Sequence, residues 1–401
     1  MMKMRKDFTF IDLFAGIGGF HCAMNNLSDG KAKCLFASEI DRFAKKVYED
    51  NFGIKPLGDI KQIDASLFDA PDVVCGGFPC QTFSKAGKQD GFKDPRGTLF
   101  REIVRIVETY PEKKRPKFLV LENVRNLISH DDGCTWKTIK HEIENIGYNI
   151  CKEPIVAAPK DVGIPQLRDR AIILAVRKDL YPRELDFKFE KKPKNSTSIY
   201  SIVSNEDTRG SKKLTDEQLY ILDCWNDFIK HINRKIIGFP IWSDEFGKKS
   251  SISTLPQWKQ EIINKNRNLY ENNKKFIDEW LVKWDVRNRF TPTNRKFEWQ
   301  VGGQIKDIYD GIIQYRTSGI RVKLPTESPA LVAMVHLPIL GKEKRTISIK
   351  EAVRLQSFPD NFKFDEMPQY AFKQLGNAVN VKVVETVFKK FLDYVGCELE
   401  D

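Results

Sequence analysis

Between Phe8 and about Val176 the chain alternates short apolar runs with amphipathic stretches, and this rhythm restricts the fold more than any other feature of its 401 residues. The runs FTFIDLF, KCLFASE, PDVVCGG, KFLVLEN and AIILAV have strand length, whereas GFHCAMNNL, DRFAKKVYEDNF, TLFREIVRIVETY and WKTIKHEIENIG have helical length and spacing. Strand and helix in turn predict an α/β domain of the doubly wound, mostly parallel, Rossmann-like kind, with helices on both faces of one sheet. Ligands of such sheets bind beyond the carboxyl ends of the strands, so polar and reactive residues are expected there.

After Asp179 the alternation stops, and Lys/Asn-rich stretches such as EKKPKNSTS and INKNRNLYENNKK take over. Six of the seven Trp residues fall between Trp225 and Trp299. Each of them is either part of a satellite core or part of a binding face. The rhythm returns in the tail, with KEAVRLQSF and VKVVETVFKKFLDYV after Thr346. Two domains are expected: 7–182 joined by 366–401 as one, and 183–365 as a second, smaller one that includes the supporting segment 345–360.

Charge separates the two regions. The chain carries a net +11, and residues 181–340 hold 27 Lys and Arg against 20 Asp and Glu. A basic middle suits a polyanionic partner such as nucleic acid. No run of about 18 apolar residues occurs, and Met-Met-Lys-Met-Arg-Lys-Asp leads directly into the strand-like Phe8 to Phe14 without an apolar leader. A cytoplasmic location without membrane association is expected. The eight cysteines (22, 34, 75, 80, 134, 151, 224 and 397) form no C-x-x-C pair and no Cys/His group at metal-ligand spacing. Neither disulfides nor a bound metal is expected, and most of these thiols read as small buried hydrophobes.

Four stretches carry chemistry. Asp12-Leu13-Phe14-Ala15-Gly16-Ile17-Gly18-Gly19-Phe20 is a Gly-rich turn leaving a strand and entering a helix, where the backbone can approach a nucleotide-like ligand; it is not G-x-G-x-x-G, and taken alone it reads more readily as a plain tight turn than as a nucleotide site. Glu39 closes the next strand and Asp59, in Gly-Asp-Ile, closes a third. Two acids there suit a ribose and an adenine amine and repel phosphate, which favours S-adenosylmethionine over a dinucleotide. Cys75 to Ser84, CGGFPCQTFS, follows the buried run of Val73 and Val74; Cys75 reads as strand core and Cys80 as a loop thiol able to meet substrate.

Leu119-Val120-Leu121-Glu122-Asn123-Val124 is a strand ending in an acid, either a salt-bridge partner or a proton donor. Pro165-Gln166-Leu167-Arg168-Asp169-Arg170 precedes AIILAV, and alternation sets Gln166, Arg168 and Arg170 on one face.

The stretches DLFAGIGGF, GGFPCQTFS, ENV, QLRDR, EAVRLQSFPD and QLGNAVN stand in the order found in cytosine-C5 DNA methyltransferases. The chain resembles the bacterial restriction-modification members of that family over Asp7 to Leu180 and Arg345 to Leu392. The resemblance implies that Cys80 adds to C6 of a cytosine, that Glu122 contacts N3 and the exocyclic amine, and that Arg170, with Arg168 beside it, lies near O2. For S-adenosylmethionine it implies Phe14 on the adenine, Glu39 on the ribose, Asp59 on the adenine amine and the Gly16, Gly18, Gly19 turn on the methionine part. Ala15, Ile40, Ile60, Pro79, Asn377 and Val379 complete that site.

The target base must leave the helix to be reached. The stretch Gln81 to Leu99, with Gly87, Gly91 and Gly97 and several cations, is expected to close over it. Gln81, Ser84, Lys88, Arg96, Arg316 and Arg321 are the candidate DNA contacts, the last two within QYRTSGIRVK, which is a base contact or a polar hairpin. The expected partner is double-stranded DNA, the expected state a monomer, paired in function with a restriction endonuclease. A tRNA cytosine methyltransferase, a non-catalytic DNA-binding relative and a nicotinamide oxidoreductase are the rival readings. The basic insert, the intact Cys80, Glu122 and arginines, and the tail motif speak against them in that order.

Overall fold

Each apolar run of the amino-terminal region forms a strand whose end is marked by a turn or cap residue. The first four are β1 (Thr9–Leu13), β2 (Lys33–Ser38), β3 (Val73–Gly76) and β4 (Phe118–Val124), which lie parallel in the order β2-β1-β3-β4. Helices α1 (Gly19–Leu27), α2 (Arg42–Phe52) and α3 (Leu99–Glu108) lie between them in sequence, and α4 (Cys134–Asn145) follows β4. Three more strands, β5 (Tyr148–Ile150), β6 (Ile155–Ala157) and β7 (Arg170–Arg177), extend the sheet antiparallel: β7 pairs with β4, and both β5 and β6 pair with β7. The sheet is therefore doubly wound and parallel where the sequence rhythm is regular, and antiparallel beyond it.

These coordinates are a computed structural model, describing residues 2–79, 99–191, 197–232, 238–331, 337–364 and 367–401. The chain divides into two units, Met1–Thr197 with Ala330–Ala333 and Lys350–Asp401, and Ser198–Pro329 with Met334–Ile349. No helix among the described residues is long and apolar enough to cross a membrane.

In the first unit every residue of β3 and the first four of β4 are buried, as expected of strands covered on both faces. Ile11, Val74, Leu119 and Ile173 from the strands meet Phe100 and Ile103 of α3 and Ile139 of α4 in one core. Asp41 caps α2, its carboxylate accepting from the amides of Phe43 and Ala44, and Gly53 ends it in the left-handed region. The tail closes the unit: helix Val381–Tyr394 packs on α1, and Cys397–Glu400 pairs in parallel with Met2–Arg5.

Helix Ile349–Leu355 carries Lys350 and Arg354 and leads into the last segment of the first unit, Lys350–Asp401. Arg354 donates from Nε (3.1 Å) and Nη2 (2.8 Å) to the Asp360 carboxylate, and with Lys350 holds that carboxyl down to about 2. An acid lowered by folding stabilises above its unfolded pKa, near 4, and that stability is lost as pH falls toward 2. The Asp360 side chain is half exposed, so solvent screening keeps the effect under about 1 kcal/mol. Asp360→Asn is expected to lower stability by that amount at pH 7, with the gap to the wild type shrinking between pH 4 and pH 2, read by urea melts across that range.

The second unit builds its core from the aromatics of the basic region. Trp225 stacks on Phe297 with centroids 4.9 Å apart, and Trp280 packs on Phe228 at the same separation. Their indole nitrogens donate to main-chain carbonyls, Trp225 to Asn294 and Trp280 to Cys224, both at 2.9 Å. Trp225, Trp280 and Trp299 are thus core anchors, whereas Trp258 is 61% exposed. A six-stranded sheet in the order 241–242, 296–299, 319–323, 312–316, 339–340, 345–346 backs this core. Ile312–Arg316 and Gly319–Lys323 form a hairpin that turns at Thr317 and Ser318; Gly319 opens the second strand at φ 124°, where a Cβ would lie 2.6 Å from the Lys296 carbonyl oxygen. Arg321 is ion-paired with Glu298 at 2.7 Å, and Arg316 stands opposite Gly319 at the hairpin end.

Candidate active site

The turn after β1 is built under backbone strain. Phe14 has φ 55°, rare for a bulky residue, and Gly16 (55°) and Gly18 (89°) follow in the same left-handed region. Hydrogen bonds hold the turn against the end of β2: the Phe14 amide donates to Ser38 Oγ (3.2 Å) and the Ala15 amide to the Ser38 carbonyl (2.8 Å). Glu39 completes the lock. Its Oε2 accepts from the Gly16 amide at 2.8 Å, and its Oε1 from the amides of Ile40 (2.7 Å) and Asp41 (2.8 Å). The carboxylate keeps lone pairs to spare beyond these three donors.

Beneath the turn, the Gly18 position touches the ring of Phe52, which stacks on His21 at 3.8 Å. Burial pushes His21 down to about 4, so it is neutral when its Nδ1 meets the Tyr48 hydroxyl at 2.7 Å. Gly19 abuts Val379, where a Cβ would lie 2.6 Å from Cγ2. Gly18→Ala would put a side chain at positive φ and drive it into Phe52, at a cost of about 2 kcal/mol or more. A lowered Tm and weakened S-adenosylhomocysteine binding by calorimetry are the expected results.

The opposite wall comes from β4 and β7. Glu122 and Arg170 are neighbours on this antiparallel pair, with Arg170 Nε 2.8 Å from Glu122 Oε1 and both side chains mostly buried. Asn123 points the other way, and its Nδ2 donates to the Phe78 carbonyl at 3.2 Å. That bond ties the segment beyond β3 to the end of β4. Asp59 caps the short helix Ile60–Gln62 through the Lys61 amide. Pro79 is the last described residue before residue 99; Cys80, Gln81, Ser84, Lys88 and Arg96 lie outside the described residues.

One cleft of about 420 Å³ opens beyond the carboxyl ends of β1, β2, β3 and β4, large enough for a nucleoside-sized molecule. Phe14, Gly16, Glu39, Ile40, Asp59 and Ile60 line it, together with Pro79, Glu122, Arg168, Arg170 and Asn377. Ala15, Gly18, Gly19 and Val379 support it without lining it. Ile40 is 76% exposed there. The cleft also gathers Ser38, Phe43, Tyr370, Lys373 and Gln374, which sequence reasoning did not single out. Phe43 and Tyr370 stack at 4.3 Å across its rim, a pairing of α2 with helix Pro368–Asn377 that no local pattern announces.

Arg168 is placed differently from Arg170. It is buried, and its guanidinium donates to three main-chain oxygens: Leu331 (2.9 Å), Gly376 (2.8 Å) and Ala378 (3.1 Å). Cys75 lies fully buried within β3, and burial pushes the thiols of Cys22, Cys34 and Cys151 up to about 12, which leaves them protonated at neutral pH. Among the described residues, no group of three or more His, Cys, Asp or Glu is arranged to hold a metal ion.

The profile of the family described as C-5 cytosine-specific DNA methylase matches residues 8–393. The chain belongs to this family. This methylase is 32% identical to Type II methyltransferase M.AluI of Cellulosimicrobium cellulans, over 97% of its own length and 93% of that protein. It is 33% identical to Type II methyltransferase M.HpaII of Haemophilus parainfluenzae, over 98% and 92%. Its fold is that of the Entamoeba histolytica methyltransferase EhMeth, with a TM-score of 0.56 across 98% of this chain and 99% of that one, at 14% identity. The methylase thus carries its cleft on the expected α/β sheet, at the expected strand ends.

Proposed function

We propose that this DNA cytosine-5 methyltransferase uses S-adenosylmethionine and a covalent adduct between Cys80 and cytosine C6, and that it serves as the modification partner of a restriction endonuclease. The observation that carries the reading is the cleft itself, where the Gly-rich turn with Glu39 and Asp59 faces the Glu122–Arg170 pair across a nucleoside-sized space. The residues present fit the cofactor: aromatic and aliphatic surface at Phe14, Ile40 and Ile60 suits a purine, and two carboxylates suit hydroxyl and amine donors rather than phosphate. When bound there, S-adenosylmethionine supplies the methyl group.

The chain's own groups prepare the acceptor. C5 of cytosine is a poor nucleophile until a thiolate adds at C6, and Cys80 follows directly on Pro79 at the cleft wall. Glu122 contacts N3 and the exocyclic amine and delivers a proton as the ring gains electron density. Arg170 lies at O2 and holds Glu122 in position through their ion pair. Loss of the C5 proton and expulsion of Cys80 restore the aromatic ring.

The second unit, with Arg316 and Arg321, reads the target sequence in duplex DNA, and Gln81, Ser84, Lys88 and Arg96 hold phosphates or bases near the extruded cytosine. The restriction-modification role rests on relatives named Type II methyltransferases. The enzyme acts as a monomer in the bacterial cytoplasm and requires no metal. Bisulfite sequencing of DNA from a host expressing the gene should show one short motif fully methylated at a single cytosine. Unmodified DNA, with methylated tRNA in its place, would overturn the reading.

A further inference from the structure

Two arginines two residues apart enter the same cleft but bond to different things. Arg170 faces Glu122, a side chain of the base-handling wall. Arg168 turns into the protein and donates to the carbonyls of Gly376 and Ala378, the residues on either side of Asn377. Asn377 is exposed on the cleft wall at the last residue of helix Pro368–Asn377, while Gly376 and Ala378 are buried. A third donation, to the carbonyl of Leu331, leaves the guanidinium directed at main chain from three sides.

We infer that Arg168 is a positioning residue: it pins the Gly376–Ala378 turn so that Asn377 and Val379 hold the cofactor side of the cleft, and it does not neutralise charge on the cytosine ring. The chemistry favours arginine for this task. The carbonyls of Gly376 and Ala378 close a helix and lack intrahelical donors of their own, and a planar guanidinium can reach several acceptors at once. Other bonds steady the same turn from beneath: Gln356 Nε2 donates to the Leu375 carbonyl (2.7 Å), and Asn380 caps the next helix through the Val383 amide (3.0 Å). Gly19, at the start of α1, touches Val379 directly, so a shift of the turn transmits to the Gly-rich loop. Because Arg168 and Arg170 share one strand approach, the arrangement couples the cofactor turn to the wall that carries Glu122.

The inference rests on the cleft binding S-adenosylmethionine, and its test separates that premise from the role of Arg168. Arg168→Lys keeps the charge but can satisfy fewer of the three acceptors, and Arg168→Gln removes the charge as well. In the full-length enzyme, KM for S-adenosylmethionine and the S-adenosylhomocysteine dissociation constant are expected to rise at least about tenfold for Arg168→Gln and less for Arg168→Lys. At saturating cofactor, kcat and the rate of trapping by 5-fluorocytosine DNA should stay within about threefold of wild type. Amide hydrogen exchange should accelerate at residues 377–379 in both variants, with the rest of the first unit protected as before. If instead kcat falls at saturating cofactor while KM and exchange at 377–379 are unchanged, Arg168 acts on the ring and the inference is wrong. Wild-type protein that binds no S-adenosylhomocysteine would refute the cofactor reading itself.

Discussion

Replacing Cys80 with serine should abolish methyl transfer, by roughly 10⁴-fold or more, while cofactor and DNA binding persist. A hydroxyl at neutral pH is far less ionised than a thiol and is a poorer nucleophile toward C6, and without addition the ring cannot be methylated at C5. Cys80 lies outside the described residues, but its neighbours set the expectation: Pro79 lines the cleft, and the Phe78 carbonyl is tethered to Asn123 beside Glu122. The other thiols of the first unit's core cannot substitute, because burial keeps Cys22, Cys34, Cys75 and Cys151 protonated. Tritiated methyl incorporation into plasmid DNA measures the loss, and electrophoretic shift with cognate duplex measures the retained binding. Turnover within tenfold of wild type would remove Cys80 from its proposed role.

Glu122→Gln should lower kcat by about 10²–10⁴-fold, the range for removing a positioned proton donor. Glutamine keeps the size of the side chain, but it has no ionisable proton to deliver to N3. The same change leaves the Arg170 guanidinium, itself mostly buried, without its carboxylate at 2.8 Å, so a loss of stability on the order of 1–3 kcal/mol accompanies it. Steady-state kinetics with a hemimethylated duplex, alongside a thermal melt, separates the two effects. Near-normal kcat with a lowered Tm would reduce Glu122 to a salt-bridge partner, the other role a strand-end acid can have.

Much of the candidate site is legible in the sequence because it follows from strand ends. Phe14, Glu39 and Glu122 each lie at or just past the end of an apolar run, and a parallel sheet brings such ends to one edge. The Trp cluster was not legible in the same way. Trp225 and Trp280 belong to a core whose partners, Phe297 and Phe228, are set among charged residues with no strict period, so composition resembled a binding surface. The antiparallel insertion of β7 between β4 and β5 was also hidden, since periodicity gives the faces of a strand but not its neighbours.

What the sequence determined by itself was the kind of sheet, the order of the motifs along it and the chemical types at each strand end, all of which depend on local periodicity and residue identity. Tertiary structure alone decided how those residues are used. Arg168 and Arg170 share a local pattern, yet one bonds to main chain some 200 residues away and the other to Glu122, because distant carbonyls reach the first and a neighbouring strand reaches the second. The pairing of Phe43 with Tyr370 has the same origin. Contacts between segments far apart in sequence are set by how elements pack, and no local pattern encodes them.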